Sequence, residues 1–142
     1  MHSLIIEPGA EADLDQLWES GAPQAEDAVA LIEAVFDELA NDSEFLARMW
    51  RRQERRMAEP SIEADRIVSL WRTGRNLLRL KLWDFPEHGG ALLPWRVVYA
   101  YDARSEAYHV LGVIQRDTNY ETHHPHIQRI LRDYDALGIP TY

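Results

Sequence analysis

A mixed α+β fold is predicted by three features of the sequence. Apolar residues recur at helical spacing through its first third, the period changes to two from Leu77, and a second helical stripe follows Pro125. The arrangement they predict is an N-terminal helical hairpin packed on a small antiparallel β-sheet, with a short C-terminal helix, all within a single domain spanning 1–142.

Leu4-Ile5-Ile6 suits a short strand, ended by Pro8-Gly9. Ala12, Leu14, Leu17 and Trp18 keep rough helical spacing behind it, with Asp13 and Asp15 early, where a helix N-terminus favours acids. Gly21-Ala22-Pro23 breaks this pattern. Ala28, Leu31, Ile32, Val35, Phe36 and Leu39 then form a second apolar stripe, so two antiparallel helices joined by a short turn are expected. Asn41-Asp42-Ser43 reads as a stop followed by a new cap. Glu44 to Met57 is expected to be helical, with Arg48, Arg51, Arg52, Arg55 and Arg56 on one face. Pro60-Ser61 ends it, and Ile62 to Trp71 fits another short helix. Residues 43–70 are thus expected as a helical insertion between the hairpin and the sheet.

Leu78, Leu80 and Leu82 alternate with Arg79, Lys81 and Trp83, the pattern of a half-buried strand with a cationic face. A turn-rich loop from Phe85 to Leu93, with Pro86 and Gly89-Gly90, leads to a second strand over Trp95 to Tyr101. Asp102 to Glu106 is a hairpin loop. Tyr108 to Gln115 is apolar on both faces and is expected at the centre of the sheet. Pro125 opens the final helix, with Ile127, Ile130, Leu131, Tyr134 and Leu137 inward and Gly138 closing it.

The 142 residues carry a net charge of −9 and contain no cysteine, so disulfides and thiolate metal sites are excluded. The amino terminus lacks the basic and apolar regions of a signal peptide, and no apolar run is long enough to span a membrane. A cytoplasmic location is expected. Charge is unevenly spread: residues 1–70 hold six arginines against sixteen carboxylates, a balance of −10, whereas residues 71–142 hold nine cations against eight carboxylates, a balance of +1. Any phosphate chemistry is therefore expected in the second half.

The order of these elements is similar to the RelE/ParE superfamily of bacterial toxins. Ile5-Ile6-Glu7-Pro8 with Ala12-Asp13-Leu14 and Leu17 resembles the first strand and helix of that family. Leu78-Arg79-Leu80-Lys81-Leu82, Trp95-Arg96-Val97-Val98-Tyr99 and Val110 to Arg116 resemble its strand series, and Arg116 to Tyr120 reproduces an Arg-x-x-x-Tyr ending. The similarity covers roughly 3–42 and 76–137. The greater length, the acidic balance and the segment 43–70 depart from it.

The resemblance implies a toxin of a toxin–antitoxin pair, a metal-independent, ribosome-associated endoribonuclease that cleaves mRNA by attack of the 2′-hydroxyl on the adjacent phosphorus. It also implies a cognate antitoxin as partner, with mRNA and the ribosome as targets and no cofactor. The alternatives of the same fold are a non-enzymatic ParE-like inhibitor of DNA gyrase and a non-toxic protein-binding module. The cleavage needs a base, cations for the developing phosphorane and an acid for the leaving oxygen. Arg79, Arg96 and Arg116 are the expected phosphate and transition-state stabilisers, because a guanidinium grips two phosphate oxygens at once. Tyr120 is expected as base or stacking group; Lys81 and His123 are expected to bind substrate. Structural readings stand beside these. Cations alternating with leucine suit any sheet with one solvated face, and Arg116 has Asp117 or Asp102 as possible partners. His123-His124-Pro125-His126 reads as polar surface before a helix, so no metal site is expected. The arginine face of 48–56 is expected to be solvated or paired with nearby acids, the competing reading being contact with ribosomal RNA or with the acidic helices of a second copy.

Overall fold

A computed structural model describes residues 1–55, 61–85 and 89–141. Strand β1 (Ser3–Ile6) leads into helix α1 (Pro8–Glu19), whose Pro8 occupies the first turn, where its missing N–H costs nothing. Helix α2 (Ala25–Ala40) buries the whole stripe from Ala28 to Leu39, with Ile32 and Val35 at 0% exposure. Beyond it lie α3 (Ser43–Leu46), β2 (Gln53–Arg55), β3 (Ile62–Arg66) and α4 (Val68–Trp71). Strands β4 (Leu77–Leu82), β5 (Trp95–Asp102) and β6 (Ala107–Gln115) follow, then a 3₁₀ turn (Arg116–Thr118) and helix α5 (Pro125–Leu137).

The strands form a six-stranded sheet in the order β1-β6-β5-β4-β3-β2. Two apolar layers sandwich it. On one face α1, α2 and α3 pack against Leu78, Leu80, Leu82, Val97, Tyr99, Tyr108 and Val110. On the other, α5 packs against Leu77, Val98, Ala100, Leu111 and Ile114 through Ile127, Ile130, Leu131 and Tyr134. Strand alternation delivers both sets from the same three strands. Strand β6 is covered on both sides, as its uninterrupted apolar run requires, although it lies one place in from the edge rather than at the centre.

Two expectations are corrected. The sheet is mixed, not wholly antiparallel, because β1 runs parallel to β6, with Ser3 opposite Ala107 and Ile6 opposite Val110. The α1 and α2 connection makes this possible by returning the chain across the sheet before β4 begins.

Residues 43–70 are not a helical insertion. Among the described residues they are helical only at Ser43–Leu46 and, from Val68, in the first residues of α4, and they add β2 and β3 to the sheet, with β3 antiparallel to β4. The expected arginine face does not form as a helix. The Met49 carbonyl accepts from the buried Tyr99 hydroxyl at 2.7 Å instead of from an amide one turn on, and Gln53 starts a strand. Arg55 turns back to Glu38 at 2.6 Å and Asp42 at 3.4 Å. Arg56, Met57, Glu59 and Pro60 of that expectation lie outside the described residues, as does Pro86 of the expected loop.

Strand β6 carries one irregularity that fixes α5. Tyr99 pairs with Val110 but Val98 pairs with Gly112, so Leu111 is an extra residue. A Cβ on Gly112 would lie 2.6 Å from Ile130 Cδ1 and 2.9 Å from an Arg129 nitrogen. Only glycine lets the helix sit this close.

Candidate functional site

The face covered by α5 is divided. Its apolar half is the second core, and its polar half lies on β3, β4 and the start of β5. Glu63 pairs with Lys81 and Asp65 with Arg79 in the β3–β4 register. Leu80 opposite Val97 sets Lys81 beside Arg96 on the next strand. Period-two alternation therefore brings Arg79, Lys81 and Arg96 to one face, as the sequence predicts.

Their surroundings differ. Arg79 is largely buried and held by Glu63 at 3.2 Å, with Asp65 at 3.8 Å. Its charge is internally matched. Lys81 has no carboxylate within ion-pair distance among the described residues. Its ammonium is held below the ordinary lysine value, first by burial and then by the positive charges of Arg79 and Arg96, against the opposing pull of Glu63 and Asp65. Arg96 donates through Nη1 to the Tyr120 hydroxyl at 3.1 Å, while its Nε is buried without a partner.

Tyr120 arrives from beyond the 3₁₀ turn. Asn119 and Tyr120 both have left-handed backbones, with φ of 56° and 57°. Asparagine tolerates that region; for tyrosine it costs on the order of 1 kcal/mol or more. The ring packs against the second core while its oxygen meets Arg96. With one lone pair of that oxygen engaged by the guanidinium, the phenol O–H points elsewhere.

Arg116 opens the turn. Its backbone N–H donates to the Pro94 carbonyl at 2.8 Å, which sets the turn beside the start of β5. Its side chain is exposed and pairs with neither acid considered for it: Asp102 is bound to Arg104 at 2.8 Å, and no ion pair links Arg116 to Asp117. His123 stands apart, 81% exposed and 3.1 Å from Glu121. His124 caps α5 by accepting from the His126 N–H at 3.2 Å, and the His126 ring turns to Asp13 at 2.9 Å. The histidines thus face separate partners, and no metal-holding group of three or more His, Cys, Asp or Glu occurs among the described residues.

Two features escape sequence reasoning. Glu63 and Asp65 become part of the cationic face because β3 is a strand; the alternation in Ile62-Glu63-Ala64-Asp65 is its sequence signal. The other is a buried carboxylate at the far side of β6. Asp13 on α1 accepts from the Val113 N–H at 2.9 Å, from Arg129 at 2.6 and 3.0 Å, and from His126 when that nitrogen is protonated. Arg129 also donates to the Leu111 carbonyl at 2.9 Å. Burial raises the Asp13 pKa, but the donors from His126, Arg129 and Val113 outweigh it and hold the carboxyl below the ordinary value.

Together these features define a mixed α+β protein with three cations and two carboxylates on one sheet face and the Arg116 turn beside the start of β5. Comparison with protein-family models, with curated proteins and with solved structures returns no match. No helix among the described residues is long and apolar enough to cross a membrane.

Proposed function

We propose that the chain is a cytoplasmic toxin of the RelE/ParE type, a metal-independent endoribonuclease that cuts messenger RNA on the ribosome and is silenced by a cognate antitoxin. The observation that carries this reading is the Arg96–Tyr120 pair: a guanidinium bound to a phenol, on a strained backbone, beside Lys81 and the Arg116 turn. Backbone strain held by its surroundings concentrates at functional positions. The order of β1, α1–α2, β4–β5–β6 and α5 supports the fold assignment.

In this mechanism Arg96, Lys81 and Arg116 hold the scissile phosphate and absorb the charge of the phosphorane as the 2′-oxygen attacks. Tyr120, positioned by Arg96, handles the 2′-hydroxyl proton or stacks on a base. Arg79 has a different part from the one expected of it. Bound to Glu63, it holds β3 against β4 and adds little net charge. His123, far out in solvent, contacts substrate at most at the rim.

Induction of the gene followed by mapping of message 5′ ends tests the reading. Growth arrest with cut messages is expected, and Arg96→Ala or Tyr120→Phe should lower cleavage by about a hundredfold, the usual effect of removing one transition-state donor. Intact messages during arrest would point to a gyrase-type target. A second reading, a non-toxic protein-binding module, draws on the Glu63–Arg79 pair and the −10 balance of residues 1–70. Harmless expression would favour it.

A further inference from the structure

We infer that the chain has a nucleotide-binding pocket on the opposite face of the sheet from the cationic site, built largely by the segment that joins α2 to β4. A cavity of about 550 Å³ there is lined by Trp50, Trp71, Tyr101, Leu78, Asn76 and Arg66. That volume falls within the usual range of small-ligand sites, and the lining is of the expected kind: mostly aromatic, with few polar groups. Leu78 and Tyr101 belong to the α1/α2 side of the sheet, whereas Arg79, the strand neighbour of Leu78, points the other way.

The charge in the pocket lining, Arg66, identifies the class of ligand. The Arg66 guanidinium lies 4.3 Å from the centre of the Trp71 ring, and that of Arg51 lies 5.4 Å from the centre of the Trp50 ring. Neither has a carboxylate within ion-pair distance among the described residues. A guanidinium held by stacking keeps its N–H groups, which lie in its own plane, free to meet an anion. Arg66 beside two indoles matches a planar base with an attached phosphate: the rings stack the base and the guanidinium edge takes the phosphate. Trp50 is 41% exposed, so one indole is already open to a ligand. A purely apolar ligand would make no use of this guanidinium edge. A net charge of −9 gives an anion no long-range attraction to the molecule, so binding depends on these local groups. The nucleotide is either free or part of a single-stranded RNA. The inference does not depend on the nuclease reading.

The test titrates the full chain with 5′-AMP, with adenosine and with a short single-stranded RNA, followed by calorimetry and tryptophan fluorescence. Saturable binding of 5′-AMP is expected, about tenfold weaker in each of Trp50→Ala and Arg66→Ala. Both side chains are exposed, and circular dichroism checks that the variants stay folded. Adenosine should bind more weakly than 5′-AMP to the unaltered chain and equally to Arg66→Ala, because the phosphate then has lost its partner. The same affinity for 5′-AMP in Arg96→Ala separates this pocket from the cationic face. RNA binding tighter than 5′-AMP through Trp50 identifies a strand as the ligand; equal affinity identifies the free nucleotide. Absence of saturable binding by 5′-AMP and RNA alike, or affinities indifferent to Trp50→Ala and Arg66→Ala, would overturn the inference.

Discussion

At the scale of single residues, Asp13 is the most constrained ionisable group described. Its carboxylate meets donors from β6 and α5 while sitting on α1. Because its folded pKa is depressed, it contributes stability that is fully present above the ordinary carboxylate value and is lost as pH falls through the depressed one. Asp13→Asn should therefore cost about 3 kcal/mol at neutral pH, chiefly by removing the buried carboxylate that Arg129 and His126 meet and leaving Arg129, among the described residues, only Asp133 at 3.6 Å as counter-charge. The gap to the unaltered chain should narrow below about pH 4. Urea midpoints from pH 7 down to 3 measure this, and parallel curves would refute it. None of this is readable from the sequence, since Asp13 and Arg129 stand 116 positions apart and nothing local announces their meeting. The shared face of Arg79, Lys81 and Arg96 is readable, because period-two alternation fixes a side chain's face within each strand. What alternation leaves open is the company each cation keeps, and Glu63 decides that for Arg79.

At the scale of elements, the hairpin α1–α2, the strands β4 to β6 and α5 are legible because each has a sustained apolar period and a clear stop. The segment between α2 and β4 is not. Its arginines fit helical spacing, but a charged stripe without an apolar stripe gives a helix nothing to bury. Phe45, Leu46 and Met49 go into the core instead, and Arg55 lies over the Phe45 ring. The close seating of α5 makes a second prediction. Gly112→Ala would force a methyl group against Ile130 and Arg129, so the helix must shift. A loss of about 1–3 kcal/mol is expected, with the greatest rise in amide exchange along α5 and β6. A variant as stable as the parent would mean that the helix has room to move.

At the scale of the whole molecule, charge is the governing quantity. With a net charge of −9, the proposed contact with RNA must run through the few cations that the chain's own acids leave unmatched. On the cationic face these are Lys81 and Arg96, with Arg116 on the adjoining turn, since Arg79 is matched by Glu63. Three phosphate contacts predict a slope of about −2 in log affinity against log salt for a single strand. Fluorescence anisotropy of a labelled RNA measures it, using the Arg66→Ala chain to weaken the second pocket. A slope steeper than about −5 would require cations beyond these three.

The stitching of Asp13 and Arg129 across the rim of β6 has a further consequence. Past Ile6, β1 no longer shields that rim, and the Val113 amide and Leu111 carbonyl are covered by side chains rather than by a strand. Arg129 belongs to α5, which follows β6 in the chain. Until α5 emerges, a nascent chain presents a stretch of naked sheet border to any extended peptide nearby, so protection from mispairing comes only once α5 has been made.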